Sequence, residues 1–132
     1  MQAHMIDMDN RPGELARLAE ALGERGVNIT GITGATMGER GRVAIVTEDP
    51  AGTDAALEAA GYGCSHAEVV EATMPHRAGE LARVARRLAD AGVNVEALMP
   101  MGMSGDNVTA GFVTDNPEKA RQALAGSSSA TG

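Results

Sequence analysis

Arg11-Pro-Gly-Glu-Leu-Ala-Arg-Leu-Ala-Glu-Ala-Leu-Gly-Glu-Arg-Gly-Val-Asn-Ile29 returns later in the chain as Arg77-Ala-Gly-Glu-Leu-Ala-Arg-Val-Ala-Arg-Arg-Leu-Ala-Asp-Ala-Gly-Val-Asn-Val95. The two stretches are 66 residues apart, align without a gap and share 11 of 19 positions. A repeat of this length marks two copies of one supersecondary unit. The fold question therefore reduces to what one copy is and how two of them fill 132 residues.

Working outward, each copy reads in the same order. Residues 2–8 form a short strand, and Asn10-Arg-Pro-Gly13 turns into a helix. Pro12 and Glu14 suit a helix N-terminus, where a missing N–H costs nothing and negative charge is favoured. Leu15, Leu18, Ala19 and Leu22 recur at helical spacing. Gly26 stops the helix. Val27–Thr33 reads as a strand, Gly34–Gly41 as a flexible turn and Arg42–Thr47 as a β-branched strand. A second helix covers Thr53–Ala60. The second copy repeats this with strands at Val69–Met74, Val93–Met99 and Val108–Thr114. Its helices are Gly79–Ala91 and one capped by Asn116 that ends near Leu124.

This β-α-β-β-α order is that of a ferredoxin-like βαββαβ module. The expected class is α+β, two such modules, each an antiparallel sheet with helices on one face. Only residues 62–76 lie between the second helix and Arg77, and Ala67–Met74 has no turn residue. One strand must then close the first copy and open the second. The second copy is left without a clear fourth strand, because the tail after Gly126 is a poor strand former. The expected division is module 1 at residues 1–66, module 2 at 67–125 and a disordered tail at 126–132.

Composition narrows the function. The net charge is −7, and Arg83, Arg86 and Arg87 are flanked by Glu80 and Asp90. Nucleic-acid binding needs clustered cations and is not expected. No apolar run is long enough to span a membrane, and the first residues lack a signal-peptide pattern. One cysteine, Cys64, excludes an internal disulfide framework. These features fit a cytoplasmic protein. Tyr62 and Phe112 are the only Phe, Tyr or Trp residues, so the core must be aliphatic. Modules of this size bury little surface alone, which favours a homodimer or a higher oligomer.

Two stretches could hold a ligand. The loop Asn10 to Glu14 offers unpaired N–H groups at a helix N-terminus, suited to a carboxylate or phosphate. Gly26-Val-Asn28 recurs as Gly92-Val-Asn94, and Asn presents both a donor and an acceptor. His4, His66 and His76 show no metal-ligand spacing, and Cys64 has no His partner at catalytic spacing. Met74, Met99, Met101 and Met103 read as core or interface filler. Gly34–Gly41 lacks the Lys-Ser/Thr of a phosphate loop. No metal, cofactor or catalytic constellation is expected.

Asn-Arg-Pro-Gly-Glu-Leu followed by Gly-Val-Asn-Ile and then Val-Ala-Ile-Val-Thr-Glu-Asp-Pro resembles the ACT domain. His76-Arg-Ala-Gly-Glu-Leu, Gly92-Val-Asn-Val and Val-Thr-Asp-Asn-Pro resemble a second one. The resemblance implies amino-acid binding in a regulatory role, with the ligand at an interface between two ACT units. Carried over, it implicates Asn10, Arg11, Pro12, Gly13 and Asn28, with Gly79 and Asn94 in the second copy. That copy departs from the pattern at His76 and Ala78. The implied function is a stand-alone tandem ACT protein that senses a free amino acid and is not an enzyme. The alternative is a subunit or scaffold that acts on an amino-acid biosynthetic enzyme through protein contacts alone.

Overall fold

The computed structural model describes residues 1–125 and 129–131. The elements in chain order are β1 (Gln2–Asp9), α1 (Glu14–Gly23), β2 (Ile29–Met37), β3 (Arg40–Thr47), α2 (Pro50–Ala59) and β4 (Cys64–Pro75). They continue with α3 (Glu80–Asp90), β5 (Val95–Ser104), β6 (Asn107–Thr114), α4 (Pro117–Leu124) and β7 (Ser129–Thr131). The chain divides into two units, Gln2–Ala67 and Glu68–Gly132, the latter joined by Met1.

In the Gln2–Ala67 unit β1 lies antiparallel to β3, with Ile6 opposite Val43, and β2 lies on the other side of β3. β4 is the second neighbour of β1. In the Glu68–Gly132 unit β6 stands between β4 and β5, with Val70 opposite Phe112 and Leu98 opposite Phe112 on the other edge. Each unit thus follows the ferredoxin-like pattern, antiparallel throughout. β4 is one unbroken strand of 12 residues, and the boundary between the units falls within it.

The cores repeat residue for residue. Ile6 and Met8 of β1, Leu18 and Leu22 of α1, Val43 and Ile45 of β3, and Ala56 and Leu57 of α2 pack together. Their counterparts Ala72, Met74, Val84, Leu88, Ala110, Phe112, Ala123 and Leu124 do the same, with Ala120 at the place of the buried Thr53. Alternation along each strand puts these side chains on one face, where the two helices cover them. Each fully buried Leu or Ile contributes roughly 1.5–3 kcal/mol, and Phe112 is the one aromatic residue among the buried members of either core.

The ends of the helices follow from single residues. Asp49 and Asn116 accept hydrogen bonds from the backbone N–H groups of Gly52 and Lys119. With Pro50 and Pro117 next, these caps start α2 at Pro50 and α4 at Pro117, where Asp49-Pro50 and Asn116-Pro117 are expected to open their helices. Gly13 and Gly79 each stand at φ +90° before α1 and α3. That left-handed turn is open to Gly at little steric cost and not to most other residues.

Three sequence expectations differ from the structure. Gly34–Gly41 is strand as far as Met37, paired through Gly34 opposite Val43 and Met37 opposite Arg40. Only Gly38 and Glu39 turn, with Gly38 at φ +64°. Glycines inside a paired strand carry the ladder with their backbone groups, and composition does not reveal this. Met103 and Ser104 likewise extend β5. The tail was read as disordered, yet residues 129–131 pair antiparallel with Glu71–Thr73 of β4. A ladder three residues long needs only backbone groups, so small polar residues suffice. Residues 126–128 and 132 lie outside the described residues.

Candidate functional site: two equivalent clefts

The loop between β1 and α1 forms one wall of a cleft of about 540 Å³ whose other wall is β2 and β3. Asn10, Arg11 and Glu14 line it, with Leu15, Ile32, Gly34 and Val43. The Glu68–Gly132 unit has a matching cleft of about 440 Å³ lined by His76, Arg77, Gly79, Glu80, Leu81, Leu98 and Pro100. The 66-residue offset maps Asn10 to His76, Arg11 to Arg77, Leu15 to Leu81 and Ile32 to Leu98. The repeat therefore reproduces a cavity as well as a core.

The loop is held in place by its own residues. The Asn10 side chain donates to the Gly38 carbonyl at 2.9 Å, and its backbone N–H donates to the Glu39 carbonyl at 2.8 Å. The His76 N–H donates to the Asp106 carbonyl at the same place in the second unit. Both loops are thus anchored on the tip of the neighbouring hairpin.

Arg11 Nε donates to Glu14 Oε1 at 2.8 Å, and its Nη2 lies 3.4 Å from Asp9 Oδ2. The hydrogen bond that Arg11 donates to Glu14 holds the guanidinium in its charged form, and the charges of Glu14 and Asp9 add to this. In the second cleft Arg77 Nε donates to Glu80 Oε1 at 3.2 Å, and Arg83 Nε donates to Glu80 Oε2 at 3.0 Å. The Arg83 hydrogen bond, aided by Arg77 and opposed by desolvation, holds the Glu80 carboxyl below the usual carboxylate range. Pro75 stands where the first copy has Asp9, so Arg77 meets one carboxylate where Arg11 meets two.

Both rims are apolar and open. Leu15 is 58% exposed, Ile32 41%, Leu81 47% and Leu98 38%. Large apolar side chains are thus left in the open at matched positions of the two copies. The Glu14 and Glu80 N–H groups donate to the Arg11 and Arg77 carbonyls of their own loops, and the next two N–H groups of each helix have no acceptor four residues back within the helix. At Gly13 an added Cβ would meet nothing within 4 Å, so the loop glycine is retained for its backbone angle and leaves the approach clear.

The sequence-derived residues separate into two places. Asn10 and Arg11 line the first cleft, with Pro12 and Gly13 in the same loop, and Gly79 lines the second. Asn28 and Asn94 lie elsewhere in their units. The Asn28 carbonyl accepts from the Glu48 N–H, and Asn94 N–H donates to the Asp115 carboxylate at 2.9 Å. Each Asn thus joins the start of one strand to the residue after the next strand, at the end of the sheet away from the loop. Leu15, Ile32, Leu81 and Leu98 carry the same periodicity as the core positions, because helical and strand spacing alone cannot show which apolar position the fold leaves uncovered.

Residues 5–60 match the ACT domain family. They form an ACT domain. Comparison with curated proteins finds no significant match. Among solved structures, a protein from Bacteroides thetaiotaomicron is similar over 94% of this chain and 85% of its own, with 22% identity and a TM-score of 0.83. The regulatory subunit of aspartate kinase from Thermus thermophilus, in a ligand-free form, is similar over 97% of this chain and 91% of its own, at 19% identity and a TM-score of 0.71. The same subunit from Thermus flavus covers 94% and 89%, with 19% identity and a TM-score of 0.63. At these identities the likeness shows the fold. Every residue that lines the first cleft falls within residues 5–60. Among the described residues no helix is long and apolar enough to cross a membrane.

Proposed function

We propose that this chain is a stand-alone tandem ACT protein that binds a free amino acid in the cytoplasm and acts as a regulator, without catalysis of its own. The observation that carries this reading is the duplication of the cleft: the second copy, outside the residues matched to the family, keeps Arg77, Gly79, Glu80 and Leu81 at the positions of Arg11, Gly13, Glu14 and Leu15. In each cleft the ligand carboxylate sits against the first-turn N–H groups, where the helix dipole favours negative charge. Arg11 or Arg77 lies beside it. Leu15 with Ile32, or Leu81 with Leu98, packs on the ligand side chain. Asn28 and Asn94 reach such a ligand only from another ACT unit, in keeping with binding at an interface.

Leu15→Glu and Leu81→Glu test the clefts one at a time. Both positions are exposed, so the fold tolerates the change, while the new carboxylate repels a bound one. Each variant should weaken binding to its own cleft at least tenfold, about 1.4 kcal/mol, with an unchanged circular dichroism spectrum. Unchanged amino-acid affinity in the folded double variant removes both clefts.

The four uncovered apolar side chains also favour self-association, since a second copy would shield them. We expect light scattering at micromolar concentration to give at least twice the 13.5 kDa of one chain. A monomer at that concentration contradicts the interface.

A further inference from the structure

We propose that His4, Asp54 and His66 form a binding site for a divalent transition-metal ion of the zinc type. The site lies wholly within the Gln2–Ala67 unit and is separate from the clefts. His4 comes from β1, Asp54 from α2 and His66 from the start of β4. His66 Nε2 lies 2.8 Å from Asp54 Oδ1, and His4 Nε2 lies 3.1 Å from the same oxygen. One ligand atom from each of the three falls within 4.8 Å of the others.

The distances suit such an ion. Zinc binds imidazole nitrogen and carboxylate oxygen at about 2.0–2.2 Å in a tetrahedron, so ligand atoms on one ion stand roughly 3.3–3.5 Å apart. The two nitrogen–oxygen distances are already near that separation, and the widest pair of ligand atoms, at up to 4.8 Å, closes to it through side-chain rotation. Two imidazoles and one carboxylate select zinc, copper, nickel or iron over calcium and magnesium, which prefer all-oxygen shells. The exposed thiol of Cys64, two residues before His66 on the same face of β4, has its Sγ 3.8 Å from Asp54 Oδ1.

His4 supplies the second observation. It is 0% exposed, and neither ring nitrogen makes a well-aligned hydrogen bond. A buried polar atom without a partner is costly, and a metal bond at Nε2 would relieve that cost. Burial also pushes the His4 imidazole below its ordinary pKa, against the pull of Asp54. Asp54 and His66 remain partly open to solvent, which leaves a path for entry.

The second copy shows that the fold does not require this cluster. Val70 occupies the place of His4, and Arg121 occupies the place of Asp54 when Asp49-Pro50 is set against Asn116-Pro117. Arg121 instead pairs with Glu68. The core around Val70 is complete without a histidine. The cluster is thus a local addition to one copy.

The test uses the full chain, stripped with a chelator and titrated with Zn²⁺ by calorimetry and with Co²⁺ by visible absorption. The expected result is one ion per chain, a tetrahedral Co²⁺ spectrum and a higher melting temperature with Zn²⁺. Asp54→Asn and His66→Gln, both at solvent-accessible positions, should each weaken Zn²⁺ binding at least tenfold with an unchanged circular dichroism spectrum. His4→Val, the residue the second copy carries at Val70, should do the same. If that variant fails to fold, the two surface variants decide. No binding by the parent chain overturns the site, and so does equal Zn²⁺ affinity in the Asp54→Asn/His66→Gln double variant. Neither result touches the amino-acid clefts.

Discussion

Phe112→Ala will destabilise the Glu68–Gly132 unit by about 3–5 kcal/mol. Phe112 is the only Phe and is 1% exposed. It stands in register between Val70 of β4 and Leu98 of β5 and packs in the core with Leu88 and Leu124. Truncation removes most of a large side chain from a core whose other members are smaller, so a cavity remains that they cannot fill. The first copy carries Ile45 at this place. Phe112→Ile should therefore cost clearly less than Phe112→Ala. Urea unfolding followed by circular dichroism measures both. A loss below about 1 kcal/mol for Phe112→Ala would mean that the core collapses around the gap, contrary to close packing of its aliphatic neighbours.

Val70→Pro will cost about 3 kcal/mol or more. The Val69 N–H donates to the Met1 carbonyl at 2.8 Å, and successive N–H groups along a strand point to opposite sides. The Val70 N–H therefore faces β6, where Val70 is opposite Phe112. Proline deletes that donor, leaves a buried carbonyl without its partner and removes a fully buried Val side chain. β4 runs without interruption from Cys64 to Pro75 through the boundary between the units. We expect hydrogen exchange to show faster opening in β1 and β3 as well as in β5 and β6. Loosening confined to β5 and β6 would mean that the shared strand does not couple the two copies.

Much of this architecture was legible because the chain repeats itself. Leu18 and Leu22 predict Val84 and Leu88, and both pairs are buried. Asn116 before Pro117 announced a cap that the structure forms. The 15 residues between Gly61 and Arg77, free of turn formers from Ala67 to Met74, announced the single strand β4. What stayed hidden depends on pairing. Gly34 and Ala35 look like turn residues until Val43 and Arg42 lie opposite them. Ser129–Thr131 has no strand propensity of note and is placed by the ladder it joins.

The candidate sites show the same division. The loop Asn10–Glu14 was visible as a helix N-terminus, and the structure makes it a cleft wall. Asn28 and Asn94 repeated as faithfully as the loop, yet their main-chain groups tie the ends of neighbouring strands together. Repetition alone cannot separate a ligand contact from a fold contact. His4, Asp54 and His66 were beyond reach for another reason. Their spacings of 50 and 12 residues match no metal-binding pattern, because strand, helix and strand bring them together only in three dimensions.

The most direct test of the central claim is a thermal-shift titration of the purified chain with each of the twenty amino acids, confirmed by calorimetry. Binding to the native state alone stabilises by RT ln(1 + [L]/Kd), about 2.7 kcal/mol at a hundredfold excess over Kd. The account predicts a saturable rise in melting temperature with one amino acid or a small group of related ones, reduced in Leu15→Glu and Leu81→Glu. No shift with any of the twenty at millimolar concentration would contradict amino-acid binding and leave the two clefts as surfaces for protein contacts.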